Sequence, residues 1–337
     1  MNDYRDEEYT EPKKKKRFRL FDSQREGKGV SKDEKPITPD LGGFFRSFKR
    51  NFSSLLRVNL FMVIGNFPIL FAILGLSGLF KIPYMTPLSN LFPNLRSLML
   101  LDPSRSPATM ALYGVFGGQI ENTALTPMSY VMFGLSALTF LTFGFVCVGT
   151  TYILRSLVRG EPVFMWADFF YAIKRNKKQA FFFGMLDLLL LLLIPFNFTV
   201  LSEMTGGGLM IGIIFWLTVV FAVIYFFMRF YIYLQMITFD LSIGKILKNS
   251  FIFSLLGFKR NILALLGMIL LFFLDFILLF GLGGILLPLG IAAPLVIIFS
   301  AASYMAVFAA WYKIKDLMIP EGADQPPEDG AEEPSEP

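Results

Sequence analysis

The chain has 337 residues, of which 54% are hydrophobic and 39 are Phe, with one Cys and no His. Only 17% are charged and the mean hydropathy is +0.57, whereas a soluble domain is about 45–50% apolar and about 25% charged, so the apolar excess calls for a solvent other than water. Without His there is no Ser-His-Asp or Cys-His nucleophile system, no His-bearing zinc site and no imidazole switch. Cys147 alone excludes an intrachain disulfide framework and a cysteine metal cluster.

The first 50 residues carry 14 Lys or Arg and 10 Asp or Glu, and residues 320–337 carry seven acids and no base. Both ends read as solvated tails, 1–43 and 320–337, because neither can bury enough apolar area to offset chain entropy. No secretory signal peptide is expected, since the first long apolar run starts only near Val58. Between the tails, six stretches are long enough for about 30 Å of hydrocarbon, which takes about 20 helical residues. They run near Leu55–Leu79, Pro127–Arg155, Lys178–Leu201, Gly208–Thr238, Asn261–Gly281 and Ile285–Tyr312. The expected fold is therefore all-α, a polytopic transmembrane bundle of six helices over residues 44–319. The short alternating segments of a membrane β-barrel are absent.

Lys and Arg placement sets the expected orientation. The N-terminal tail has Lys13-Lys14-Lys15-Lys16-Arg17, the second-to-third connection has Arg155, Arg159, Lys174, Arg175, Lys177 and Lys178, and the fourth-to-fifth has Lys245, Lys248, Lys259 and Arg260. The opposite side has Lys81, Arg96 and Arg105 in one long outer loop, 81–126. Both termini are accordingly expected in the cytoplasm. Within that loop, Leu91, Phe92, Leu95, Leu98 and Met99 suggest a short surface helix.

One motif occurs three times: Phe48-Lys49-Arg50-Asn51, Ile173-Lys174-Arg175-Asn176 and Phe258-Lys259-Arg260-Asn261, each at the cytoplasmic entrance of an odd-numbered span. Phe44-Phe45-x-x-Phe48 matches Phe169-Phe170-x-x-Ile173, which suggests three repeats, each an interfacial segment followed by a helical hairpin. Aromatic faces at headgroup depth beside basic clusters would make Lys49, Arg50, Trp166, Lys174, Arg175, Lys259 and Arg260 interfacial anchors on anionic lipid headgroups. The charge rule for cytoplasmic loops accounts for the same basic residues without any lipid specificity.

The most distinctive segment joins Thr151-Tyr152-Ile153-Leu154-Arg155, then Arg159-Gly160-Glu161, to an amphipathic stretch, 159–178, with Trp166, Phe169, Phe170 and Ile173 at helical spacing. It resembles the signature of the YesL-like bacterial membrane proteins (domain-of-unknown-function family 624). Asn59-Leu60 and Phe67-Pro68-Ile69 are similar to that family's first helix. The resemblance covers residues 44–80 and 127–240 and departs in the long outer loop and the tails. It implies a Gram-positive plasma-membrane protein, often encoded beside carbohydrate-uptake genes, with no established activity and no catalytic residues to carry over.

Three ionisable residues fall at membrane depth, where exposure to lipid costs several kcal/mol: Asp187, Arg229 and Asp275. Asp187 follows Lys178 by nine residues and Arg229 precedes Thr238 by nine, so a hairpin turning near Gly206-Gly207-Gly208 brings both to one level and predicts a buried Asp187–Arg229 pair. Asp275 has no evident basic partner. Asn59, Asn66 and Gln235 add hydrogen-bonding capacity, Pro68, Pro195, Pro288 and Pro294 can interrupt helices, and Gly208-x-x-x-Gly212 offers a close-packing face. Gly281-x-Gly283-Gly284 follows no strand and is no nucleotide loop. The two membrane aspartates lack the Gly-x-Gly-Asp context of intramembrane aspartyl proteases.

No cofactor, metal or nucleic-acid motif is present, and no enzyme activity is expected. The expected partners are the bilayer, anionic headgroups and a membrane protein such as a sugar-uptake transporter, which the chain would assist or regulate. The alternative is a small-solute transporter or channel built around Asp187, Arg229 and Asp275.

Overall fold

The computed structural model describes residues 37–101, 106–204, 208–281 and 284–319. The expectations placed on the two charged tails and on the Gly206-Gly207 turn lie outside those residues. The fold is an all-α polytopic helix bundle with one small two-stranded sheet. Five segments are long and apolar enough to cross a membrane, and a bent pair of helices makes a sixth, which defines a multi-pass membrane protein.

Helix α1 (Leu41–Gly65) starts three residues before the boundary expected at Phe44, because Asp40 caps it: the Asp40 carboxylate accepts from the Gly43 N–H at 2.9 Å. Donation from the Thr38 hydroxyl, and then from the Gly43 N–H, holds the Asp40 carboxyl below its ordinary value. The chain breaks at Asn66-Phe67-Pro68 and α2 (Ile69–Leu76) leaves at 62° to α1. The first span is thus bent where Pro68 cannot continue the helix.

The outer loop holds more structure than the one short helix expected there. Strands β1 (Lys81–Pro87) and β2 (Gln119–Leu125) pair antiparallel, Lys81 opposite Leu125 and Pro87 opposite Gln119. Helices α3 (Phe92–Leu101) and α4 (Pro107–Phe116) are strung between them. Pro83 and Pro87 hide β1 from a pattern reading, yet a two-stranded sheet consists of edge strands only, where a missing N–H is tolerated.

Helices α5 (Pro127–Ser136) and α6 (Thr139–Arg159) form one span with a short break at Ala137-Leu138. Gly160, at φ 77°, ends α6 in the left-handed conformation that glycine adopts without a Cβ penalty. Helix α7 (Met165–Glu203) joins the expected interfacial segment 159–178 to the third span, with a kink at Asn176. Helix α8 (Gly208–Thr238) returns, α9 (Ile243–Leu256) is a separate helix at the base of the fifth span, and α10 (Phe258–Phe280) crosses again. The last span consists of α11 (Leu287–Ala293), a π-helical turn (Pro294–Ile298) and α12 (Phe299–Met318).

Helix α6 is central and packs on α1, α7, α8 and α12. Its approach to α7 is backbone on backbone. A Cβ placed on Gly144 would lie 1.9 Å from the Ala180 carbonyl oxygen, and one on Gly184 would lie 2.3 Å from the Gly144 Cα. The Gly208-x-x-x-Gly212 face expected to pack closely meets nothing within 4 Å at either glycine. Lipid provides no hydrophobic drive between helices, so small residues matter where backbones touch, and sequence spacing alone does not say which ones do.

The π-helical turn is bridged from another element. Asn59 of α1 is fully buried, donates to the Pro294 carbonyl at 2.9 Å and accepts from the Ser300 N–H at 2.9 Å. It satisfies two backbone groups that the break in the helical ladder leaves over.

Gly184→Ala is expected to lower stability in detergent by about 1–3 kcal/mol, the ordinary cost of overpacking. Gly212→Ala is expected to be neutral or slightly stabilising, since an exposed helical glycine costs about 1 kcal/mol relative to Ala. Thermal unfolding of the two purified variants compares them directly.

Candidate functional site

Asp187 of α7 is fully buried and meets Arg229 of α8 in a two-pronged ion pair, Nε to Oδ1 at 2.8 Å and Nη2 to Oδ2 at 3.1 Å. The pair expected from their equal distances to the helix ends is present. Two phenols complete the arrangement: Tyr225 donates to Oδ1 at 2.6 Å and Tyr233 donates to Oδ2 at 2.6 Å. Four donors therefore converge on one carboxylate. Tyr225, Arg229 and Tyr233 are spaced i, i+4 and i+8, so a single stripe of α8 supplies all of them. The tyrosines escaped the sequence reading, although their spacing about Arg229 was the signal that could have found them.

This cage leaves Asp187 no unused acceptor direction of consequence. A carboxylate held by a bidentate guanidinium and two hydroxyls is compensated for its transfer out of water. The Arg229 side chain, by contrast, remains 23% exposed. It lines an apolar groove of about 380 Å³ between α7, α8 and α10.

Asp275 is not part of this cluster. Leu265 of α10 lines the same groove as Arg229, and Asp275 lies ten residues further, about 15 Å along the helix axis at 1.5 Å per residue. Asp275 is buried, on the α10 stripe with Asn261, Ala264 and Met268, and its Oδ1 meets no hydrogen-bond donor among the described residues. The three membrane charges thus form a closed pair and a separate, unpaired carboxyl.

The basic anchors lie at one end of the bundle, joined by contacts between helix ends: Asn51 reaches the Leu157 carbonyl at 3.1 Å and Arg260 meets Asp316 at 3.6 Å. Lys49, Arg50, Lys174, Arg175 and Lys259 are exposed there, and Trp166 is 67% exposed. Their aromatic companions divide. Phe45 and Phe170 face outward, whereas Phe44 and Phe48 pack on Tyr304 and Phe308 of α12, and Phe169 stacks on Phe61 with ring centroids 4.8 Å apart. The faces expected at headgroup depth are therefore partly helix–helix contacts.

The third residue of the motif has a role that the charge rule does not supply. In each copy Asn donates to a backbone carbonyl where a helix ends or bends. Asn51 serves Leu157 in the last turn of α6, Asn176 serves Ala172 at the α7 kink (3.0 Å), and Asn261 serves Ser254 in the last turn of α9 (3.0 Å). Those carbonyls lack a helical partner or have a strained one.

The Arg155 to Glu161 segment also closes helix ends. Arg155 is buried, donates to the Ile237 carbonyl (3.3 Å) and the Thr238 hydroxyl (3.1 Å), and lies over the Tyr152 ring at 4.7 Å. A cation at the last carbonyls of α8 is favoured by the helix dipole. Arg159 pairs with Glu161 at 2.8 Å and faces the Trp311 ring. Gln179 adds a bond to the Leu241 carbonyl at 2.8 Å. Compared with protein-family models, with curated proteins and with solved structures, the chain matches none of them.

Asp187→Asn is expected to cost about 3–5 kcal/mol, because it strands a buried guanidinium. Adding Arg229→Gln should recover part of that loss, and a double-mutant cycle on thermal stability in detergent measures the coupling. Asp275→Leu should instead raise the unfolding temperature, since an unpartnered buried carboxyl is a net cost; a lower unfolding temperature would reveal a partner for it in the folded protein.

Proposed function

We propose that this chain is a non-enzymatic, multi-pass plasma-membrane protein with both termini in the cytoplasm, acting as an accessory or regulatory component beside carbohydrate uptake or an envelope process. The observation that carries the reading is the closed Asp187 cage: the most strongly bonded polar group in the membrane is saturated by its own chain. Such a group holds two helices together and leaves no vacant coordination for a travelling ion. The orientation rests on the basic end, whose lysines and arginines outnumber those of the opposite loops. The sugar-uptake association rests on the resemblance of residues 44–80 and 127–240 to the YesL-like proteins.

The second reading is a small-solute transporter, and Asp275 is the observation that favours it. A buried carboxyl without a donor is the group a proton or cation would visit. Affinity purification of the full chain from its own membranes in mild detergent is expected to retain a membrane-protein partner, and proteoliposomes of the pure chain are expected to show no solute flux. Flux that Asp275→Asn abolishes would replace the accessory reading with the transporter.

A further inference from the structure

The groove beside Arg229 combines features that the Asp187 cage does not use. Its walls are Leu191 and Pro195 of α7, Ala222 and Phe226 of α8 and Leu265 of α10, and its volume is about 380 Å³. Arg229 gives Nε and Nη2 to Asp187. Its other terminal nitrogen, Nη1, has no acceptor among the described residues and is not sealed from the surface. Two N–H bonds of a guanidinium therefore open onto an otherwise apolar groove. Facing hydrocarbon alone, they would go unsatisfied at a cost of several kcal/mol.

The depth of the groove says what can satisfy them. Along α8, Leu209, Met210, Trp216, Leu217 and Val220 are more than half exposed, whereas every residue from Phe230 to Ile237 is buried in protein. The helix passes from lipid-facing to protein-enclosed across Arg229. From Gly208 to Arg229 it rises roughly 32 Å, close to the thickness of a hydrocarbon core. On α10 the groove residue Leu265 stands only five residues, about 7.5 Å, beyond Arg260 of the basic end. Arg229 thus lies where acyl chains give way to ester and phosphate groups.

We propose that this groove is a binding site for one anionic glycerophospholipid of the leaflet at the basic end. An acyl chain lies against Leu191, Pro195, Ala222 and Leu265, and the phosphate accepts from Arg229 Nη1. The occupant is a lipid rather than a soluble anion because the groove is apolar along its length and opens sideways between helices. Asp187 takes no part in binding; it holds the guanidinium plane so that Nη1 points into the groove. The site is independent of the role proposed above, and its test does not depend on that role.

The full chain is reconstituted in phosphatidylcholine nanodiscs containing a trace of phosphatidylglycerol with a photoreactive diazirine on one acyl chain. Cross-links are expected in peptides covering Leu191–Pro195 and Ala222–Phe226. Excess unlabelled phosphatidylglycerol should remove them, and added phosphatidylcholine should not. Ala222→Trp fills the groove without touching the Asp187 cage and should lower the labelling about tenfold, the weight of one charge-assisted hydrogen bond. The wild-type competition needs no variant, so it decides the matter even if Ala222→Trp folds poorly. Cross-links spread evenly over all lipid-facing helices, equal competition by phosphatidylcholine, stronger competition by a free fatty acid, or unchanged labelling in a folded Ala222→Trp protein would each overturn the proposal.

Discussion

The structure depends on one constraint, the need to compensate a carboxylate that has no water around it. Asp187 sits at membrane depth with four donors on its two oxygens, all from one stripe of α8. That stripe fixes the rotation of α8 against α7, since a turn of the helix by one residue would carry Tyr225, Arg229 and Tyr233 off the carboxylate together. A few turns nearer the basic end, α7 meets α6 through Gly144 and Gly184 with no side chain between the backbones. Steric fit aligns one helix pair and hydrogen bonding aligns the next, which is how helices select partners when lipid competes for every apolar contact.

The same logic runs through the basic end. Asn51, Asn176, Asn261, Arg155 and Gln179 all donate to carbonyls at helix ends, bends or loops. Short helices and kinks multiply such carbonyls, and each must find a donor. Asn59 does this service deeper in the bundle, across the π-helical turn. Much of the polar content of the membrane domain is therefore spent on holding backbone in place. Arg229 is the exception with a donor group left over, and the groove it faces is where the chain meets its solvent with chemistry as well as with apolar surface.

How much of this was readable in advance differs by feature. The spans were legible because about 20 apolar residues in series have few other uses, and the Asp187–Arg229 pair followed from counting residues inward from two helix ends. The bend at Asn66-Phe67-Pro68 was half legible: Pro68 marked it, but the 62° angle is set by what α2 packs on, Phe133 of α5 against Gly75. The β-hairpin was hidden by its prolines. Glycine spacing pointed to Gly208 and Gly212, which touch nothing, and passed over Gly144 and Gly184, which lie 40 residues apart and meet only in space.

By itself the sequence determined the solvent and the secondary structure: its hydrophobic runs require lipid, backbone polarity in lipid requires helices, and the charge bias separates a basic end from the other. It also determined that buried charge had to be neutralised, since only a few ionisable residues fall inside the spans. Tertiary structure alone decided which partners do the neutralising. Two tyrosines joined the Asp187 cage because they share a helical face with Arg229, Asp275 was left apart because it stands about 15 Å further along α10 than the Arg229 groove, and three asparagines became backbone caps because helix ends arrived beside them. Residue type and spacing set what each side chain can do; only the packing of distant segments sets what it meets.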